Sequence, residues 1–132
     1  MRSSKFLISL LAVAVQAPAA TTVYTDSHHP PSNAASAQVV YLDAPDTVQH
    51  QIFGELPADP AQAEQTAKAI IQSPDWQQKQ QQIGQAYQGV IQAYSLKLVK
   101  YPAVVFDDRY VVYGTADVTV AEARLAEFQG AR

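Results

Sequence analysis

The segment at residues 101–114, YPAVVFDDRYVVYG, restricts what this chain can become more than any other stretch. AVVF at residues 103–106 and YVVY at residues 110–113 flank Asp107, Asp108 and Arg109. β-Branched and aromatic residues favour strands, and a short aspartate-containing connection joins two strands as a tight hairpin. Gly114 ends the second strand. Alternation sends Tyr110 and Val112 to one face and Val111 and Tyr113 to the other. Rings and valines on both faces predict a sheet packed against helices.

The rest of the chain supplies those elements. TTVYT at residues 21–25 reads as a first strand and QVVYL at residues 38–42 as a second. Between them, residues 26–33 are polar with two prolines, which makes a loop. Asp46 is expected to cap a short helix ending near Phe53, with Val48, Ile52 and Phe53 inward. Asp59 at the N-cap and Pro60 at the first helical position open a helix over residues 61–72, with Ala67, Ile70 and Ile71 as its buried stripe. Ser73 and Pro74 repeat the device ahead of a helix over residues 75–94. Its apolar face is expected at Ile83, Tyr87, Val90, Ile91 and Tyr94. Trp76 is expected to anchor the core, and the glutamine-rich residues 77–82 to form a solvated face. Asp117 caps a last helix over residues 118–128, with Val118, Ala121, Leu125 and Phe128 on one side. No internal repeat is visible. The order predicts an α/β fold, a small sheet with helices packed on it.

Arg2 and Lys5, an apolar run at residues 6–15 and the small residues Ala17 and Ala19 have the three-part layout of a secretory signal peptide. The expectation is cleavage near Ala19, a periplasmic location and one domain over residues 20–132. The apolar run is too short for the roughly 20 residues of a spanning helix. No stable membrane span is therefore expected after cleavage. Removing residues 1–19 leaves seven basic residues against twelve acidic ones, a net charge of −5. That balance argues against direct nucleic-acid binding. The chain has no cysteine, which excludes disulfides, thiolate catalysis and cysteine-ligated metal clusters.

Pro102, directly before the hairpin, resembles the proline of thioredoxin-like proteins. That proline is usually cis, precedes the hairpin's first strand and faces the loop after strand one, here residues 26–33. Taken with the exported N-terminus, the segments VYTDSHHP, YQGVIQAYSL and YPAVVFDDRYVVYG resemble a family of small exported proteins encoded in bacterial integrating conjugative elements. Genes for a type IV secretion-like mating apparatus lie beside them. A more distant likeness is to the F-type pilin-assembly proteins of conjugative plasmids. The resemblance implies a thioredoxin-like fold and a role in conjugative transfer at the envelope, with no reaction assigned. Where redox thioredoxins carry Cys-x-x-Cys, this chain has Ser27, His28, His29 and Pro30. A hydroxyl cannot replace the thiolate that exchanges disulfides, so disulfide oxidoreductase chemistry is excluded.

Asp26, Ser27, His28 and His29 form the densest polar cluster. Partner contact through Ser27, His28, His29 and Pro30, joined by Tyr101 and Pro102, is the principal expectation, with envelope proteins of the conjugation apparatus as partners. No catalytic residue and no cofactor are expected. The alternative is a metal site on Asp26, His28 and His29, for which imidazoles and a carboxylate suit zinc or copper. A plain reading is a capped loop in which Asp26 and Ser27 bond local backbone N–H groups. Ser27, a histidine and Asp26 can also be written as a triad, though sequence neighbours seldom reach the required geometry. Exposed tyrosines near Pro102 would mark a peptide-binding groove.

Overall fold

A computed structural model describes residues 20–131, so the expected leader at residues 1–19 lies outside the described residues. Four strands are present: β1 (Thr21–Thr25), β2 (Gln38–Tyr41), β3 (Ala103–Phe106) and β4 (Tyr110–Tyr113). They form one sheet in the order β2-β1-β3-β4. β1 pairs parallel to β2, and β3 is antiparallel to both β1 and β4. The helices are α1 (Ala44–Phe53), α2 (Pro60–Ile71), α3 (Trp76–Ser95) and α4 (Val118–Gly130). The protein is α/β, as the sequence predicts. Among the described residues no helix is long and apolar enough to cross a membrane.

The hairpin matches its sequence reading residue for residue. Asp107 and Asp108 adopt φ of 53° and 51°, a left-handed geometry that aspartate tolerates, and Arg109 N donates to Phe106 O. Val23, Val104, Phe106 and Val112 face one side, where Val118, Ala121 and Leu125 of α4 cover them. Tyr24, Val40, Val105 and Val111 face the other, beneath Ala93 and Leu96. Asp117 caps α4 through bonds from Thr119 N and Val120 N. The segment joining the parallel strands β1 and β2, residues 26–37, makes its crossover without the helix such connections usually contain.

Three local expectations are corrected. The first helix begins at Ala44 with Pro45 in its first turn and Asp43 at the N-cap; Asp46 lies inside it. The Asp43 side chain makes no cap bond because Ser27 occupies it. Ser73 and Pro74 precede α3 without capping it. The Ser73 hydroxyl donates backward to Ile70 O at 2.5 Å, and Asp75 holds the N-cap position. Trp76 is only half-buried and meets Phe53 edge-on, with ring centroids 5.9 Å apart, tying α3 to α1.

The larger correction concerns which faces the helices bury. On α3, Tyr87, Ile91 and Tyr94 are 44%, 63% and 85% exposed. The expected Ile83 and Val90 are half-buried, and the rest of the inward face is the small-residue row Ala86, Gly89 and Ala93, of which Ala93 is buried. A Cβ at Gly89 would stand 2.6 Å from Val40 Cγ1, so this close approach of helix to strand requires glycine. Similarly, α2 has no buried residue, and Ile71 is exposed. On α2 the expected Ala67 and Ile70 are half-buried; on α3 hydrophobic periodicity ranked large side chains above the small ones that set the helix–sheet distance.

Candidate functional site

The C-terminal ends of β1 and β2 and the N-terminal end of β3 meet at one end of the sheet. Register places Tyr24 opposite Ala103 and Thr25 beside Tyr41, so the loop after β1 emerges next to the residues preceding β3. In sheets of this kind, the crevice beyond the carboxyl ends of strands is where ligands bind. Tyr101-Pro102 is a cis peptide at this end of the sheet, and Pro102 O accepts from Gly114 N at 2.9 Å.

The loop is held from within. Asp26 is 8% exposed and accepts from His28 N at 3.1 Å and from His29 Nδ1 at 2.6 Å, both at Oδ1. The His29 hydrogen bond is the main reason that its carboxyl titrates below the usual aspartate range, against the opposing effect of desolvation. Thr25 Oγ1 donates to His29 O at 2.6 Å, and His29 N donates to Asp26 O at 3.2 Å, closing a turn. Ser27 leans away from this turn toward α1. Its N–H and hydroxyl both donate to Asp43 Oδ2, at 3.0 and 2.5 Å, and these bonds lower the Asp43 pKa. Further along, Ser32 bonds the backbone of Ala116 and Val118, and Asn33 Nδ2 donates to Asp117 Oδ1 at 3.0 Å.

Those partners decide what the cluster can do. The Ser27 hydroxyl is committed to a carboxylate of another element, and His29 Nδ1 to Asp26, so no imidazole is hydrogen-bonded to the hydroxyl and the triad does not assemble. Among the described residues no three His, Asp or Glu side chains form a group that could hold a metal. Asp26 is spent on the loop's own N–H groups, the role of a capped loop.

Around the held turn, side chains remain open. His28 borders a shallow hollow of about 660 Å³ with Asp46, Thr47 and His50 of α1. Pro30 and Tyr41 face Ala44 and Val48 across a second hollow of about 360 Å³, floored by apolar side chains and rimmed by Ser27 and Asp43. Tyr101 is 51% exposed at the same sheet end, but neither it nor Pro102 lines these two hollows. The structure thus brings Ser27, His28 and Pro30 together with α1, and leaves Tyr101 and Pro102 beside them. Sequence reasoning missed Asp43 and Thr47 and read Val48 only as an inward residue of the first helix. The signal present was Asp43-Ala44-Pro45, an aspartate two residues ahead of an early-helix proline, which places a carboxylate at a helix start.

The fold and site define an α/β protein whose loop after the first strand is fastened by two aspartates and presents histidine and proline beside an apolar hollow. The family described as "Protein of unknown function (DUF1525)" matches residues 18–131, and the chain belongs to it. No curated protein and no solved structure matches the chain.

Proposed function

We propose that this protein is a non-enzymatic periplasmic accessory of an integrating conjugative element, a thioredoxin-like module that contacts envelope proteins of the mating apparatus. The contact surface is the loop bearing Ser27, His28, His29 and Pro30, with Tyr101 and Pro102 alongside. One observation carries the reading. A loop whose polar groups are tied down at Asp26 and Asp43 leaves His28 and Pro30 exposed beside an apolar hollow. That geometry suits docking of a side chain and provides no nucleophile–base pair. The strand order β2-β1-β3-β4, with Pro102 directly ahead of β3 at the end where the β1 loop emerges, favours the thioredoxin-like comparison. The absence of cysteine accords with a binding role on that scaffold.

The test is complementation of a deletion strain with His28→Ala, Pro30→Ala protein. Transfer frequency should fall while the thermal midpoint stays near wild type, since neither residue is buried. Wild-type transfer by a stably produced double variant would refute this contact surface. N-terminal sequencing from the envelope fraction should begin near Ala20; an intact Met1 in the cytosol would refute export.

A further inference from the structure

Among the described residues the sheet has two free edges, and the chain treats them differently. At β4, Gly114 N donates to Pro102 O, so alternation along the antiparallel ladder turns the main-chain groups of Val111 and Tyr113 outward. Cations guard that edge. Arg124 Nη1 donates to Tyr113 O at 3.2 Å, Lys100 lies 5.5 Å from the Tyr113 ring centre, and Arg109 stacks on Tyr110. Charged side chains over an exposed strand are a recognised defence against unwanted pairing.

Among the described residues no such guard stands at β2. Leu42 N donates to Thr25 O, so by the same alternation Val40 and Leu42 bond β1 while Val39 and Tyr41 turn their N–H and C=O groups to the open edge. A groove of about 540 Å³ runs along that edge, walled by α1 and α3. Among the described residues no charged side chain lines it. Six glutamines do: Gln38 on the strand, Gln51 on α1, and Gln82, Gln85, Gln88 and Gln92 on α3. Each primary amide offers two donors and an acceptor oxygen and carries no charge. In a chain of net charge −3, a neutral, amide-lined trough beside an unguarded strand matches an uncharged main chain. A charged occupant would lose its hydration there and find no counter-ion.

We infer that the β2 edge groove captures an extended, uncharged peptide segment of a partner protein, which joins the sheet as a fifth strand at Val39 and Tyr41 while the glutamines of α1 and α3 hydrogen-bond its flanks. This is strand addition, in a groove that adjoins the hollow beside Pro30 and shares Tyr41, Ala44 and Val48 with it.

The probe is a fluorescein-labelled octapeptide alternating threonine and valine, titrated with the purified protein and followed by anisotropy. Two comparators replace two of its threonines with aspartate or with lysine, and a fourth probe is the neutral sugar chitotetraose. The neutral peptide should bind, and each charged peptide at least tenfold more weakly. Val39→Pro removes only an outward N–H and leaves the β1 ladder whole, a change edge strands accept; it should weaken binding at least tenfold. Should Val39→Pro prove unfolded by circular dichroism, the double variant Gln85→Glu, Gln88→Glu on the exposed face of α3 takes its place and should weaken binding several-fold. Binding of the neutral peptide by folded variants at wild-type affinity would overturn the inference. So would equal binding of the aspartate peptide, displacement by chitotetraose, or a homodimer in sedimentation that Val39→Pro dissolves. None of these readouts involves conjugation, so they fail or succeed independently of the loop's role in transfer.

Discussion

α4 and α3 are both amphipathic helices laid on the same sheet, yet they bind it in opposite ways. α4 places Val118, Ala121 and Leu125 against Val23, Val104 and Phe106, and its apolar residues are largely where periodicity puts them. α3 rests on small residues and leaves Tyr87, Ile91 and Tyr94 in solvent. A helix that packs through large side chains owes its stability to apolar area removed from water. One that packs through Ala and Gly owes it to close backbone approach, and large residues beside that seat reach α1 instead, as Trp76 does at Phe53 and Tyr87 at Gln49.

Core substitutions should break the α4 side most severely. Phe106 is fully buried in the α4-facing cluster, and Phe106→Ala should cost about 3–5 kcal/mol in denaturant unfolding. A loss below ~1 kcal/mol would mean that this cluster is not the main core.

The two interior glycines of α3 sharpen the comparison within one helix. Gly84 has open space where a Cβ would go, so Gly84→Ala should stabilise by up to about 1 kcal/mol through helix propensity alone. At Gly89 the same methyl meets Val40, and overpacking of about 1–3 kcal/mol should cancel or reverse that gain. Equal thermal midpoints for the two variants would show that α3 does not rest on β2 through Gly89.

Asp26 offers a pH-dependent test at the sheet end. Its folded pKa is depressed, chiefly by the hydrogen bond from His29, so its contribution to stability is present above the ordinary aspartate pKa near 4 and is lost as pH falls through the folded value. Unfolding free energy should therefore decline on acidification below about pH 4. Asp26→Asn should flatten that part of the curve, and an unchanged acid limb would count against the pairing.

The smallest effect is expected on the outer face of α3. Ile91→Ala should change stability by no more than about 0.5 kcal/mol, since the side chain is already in water. A core-sized loss would show that the exposed stripe is covered in solution.

Much of the chain was legible before any coordinates. β3, β4 and their turn follow from valine-rich runs bracketing Asp107–Arg109, and the Asp59 and Asp117 caps from local hydrogen-bonding chemistry that needs no distant partner. The site was legible only in composition. The density of Asp26, Ser27, His28 and His29 marked a special loop. That Ser27 answers to Asp43 is invisible in sequence, because it depends on where α1 begins relative to the end of β1.

Local determinants therefore follow from the amino-acid order: element type, strand alternation, two helix caps and the impossibility of thiol chemistry. These depend on interactions within a few residues or on residue types that are simply present or missing. Only the tertiary structure decided the strand order, the small-residue seat of α3, the tying of the loop to α1 and the contrast between a guarded and an open sheet edge. Each of those turns on the distance between segments remote in the chain, and hydrophobic burial, being non-directional, does not specify such distances until close packing selects among the arrangements that satisfy it.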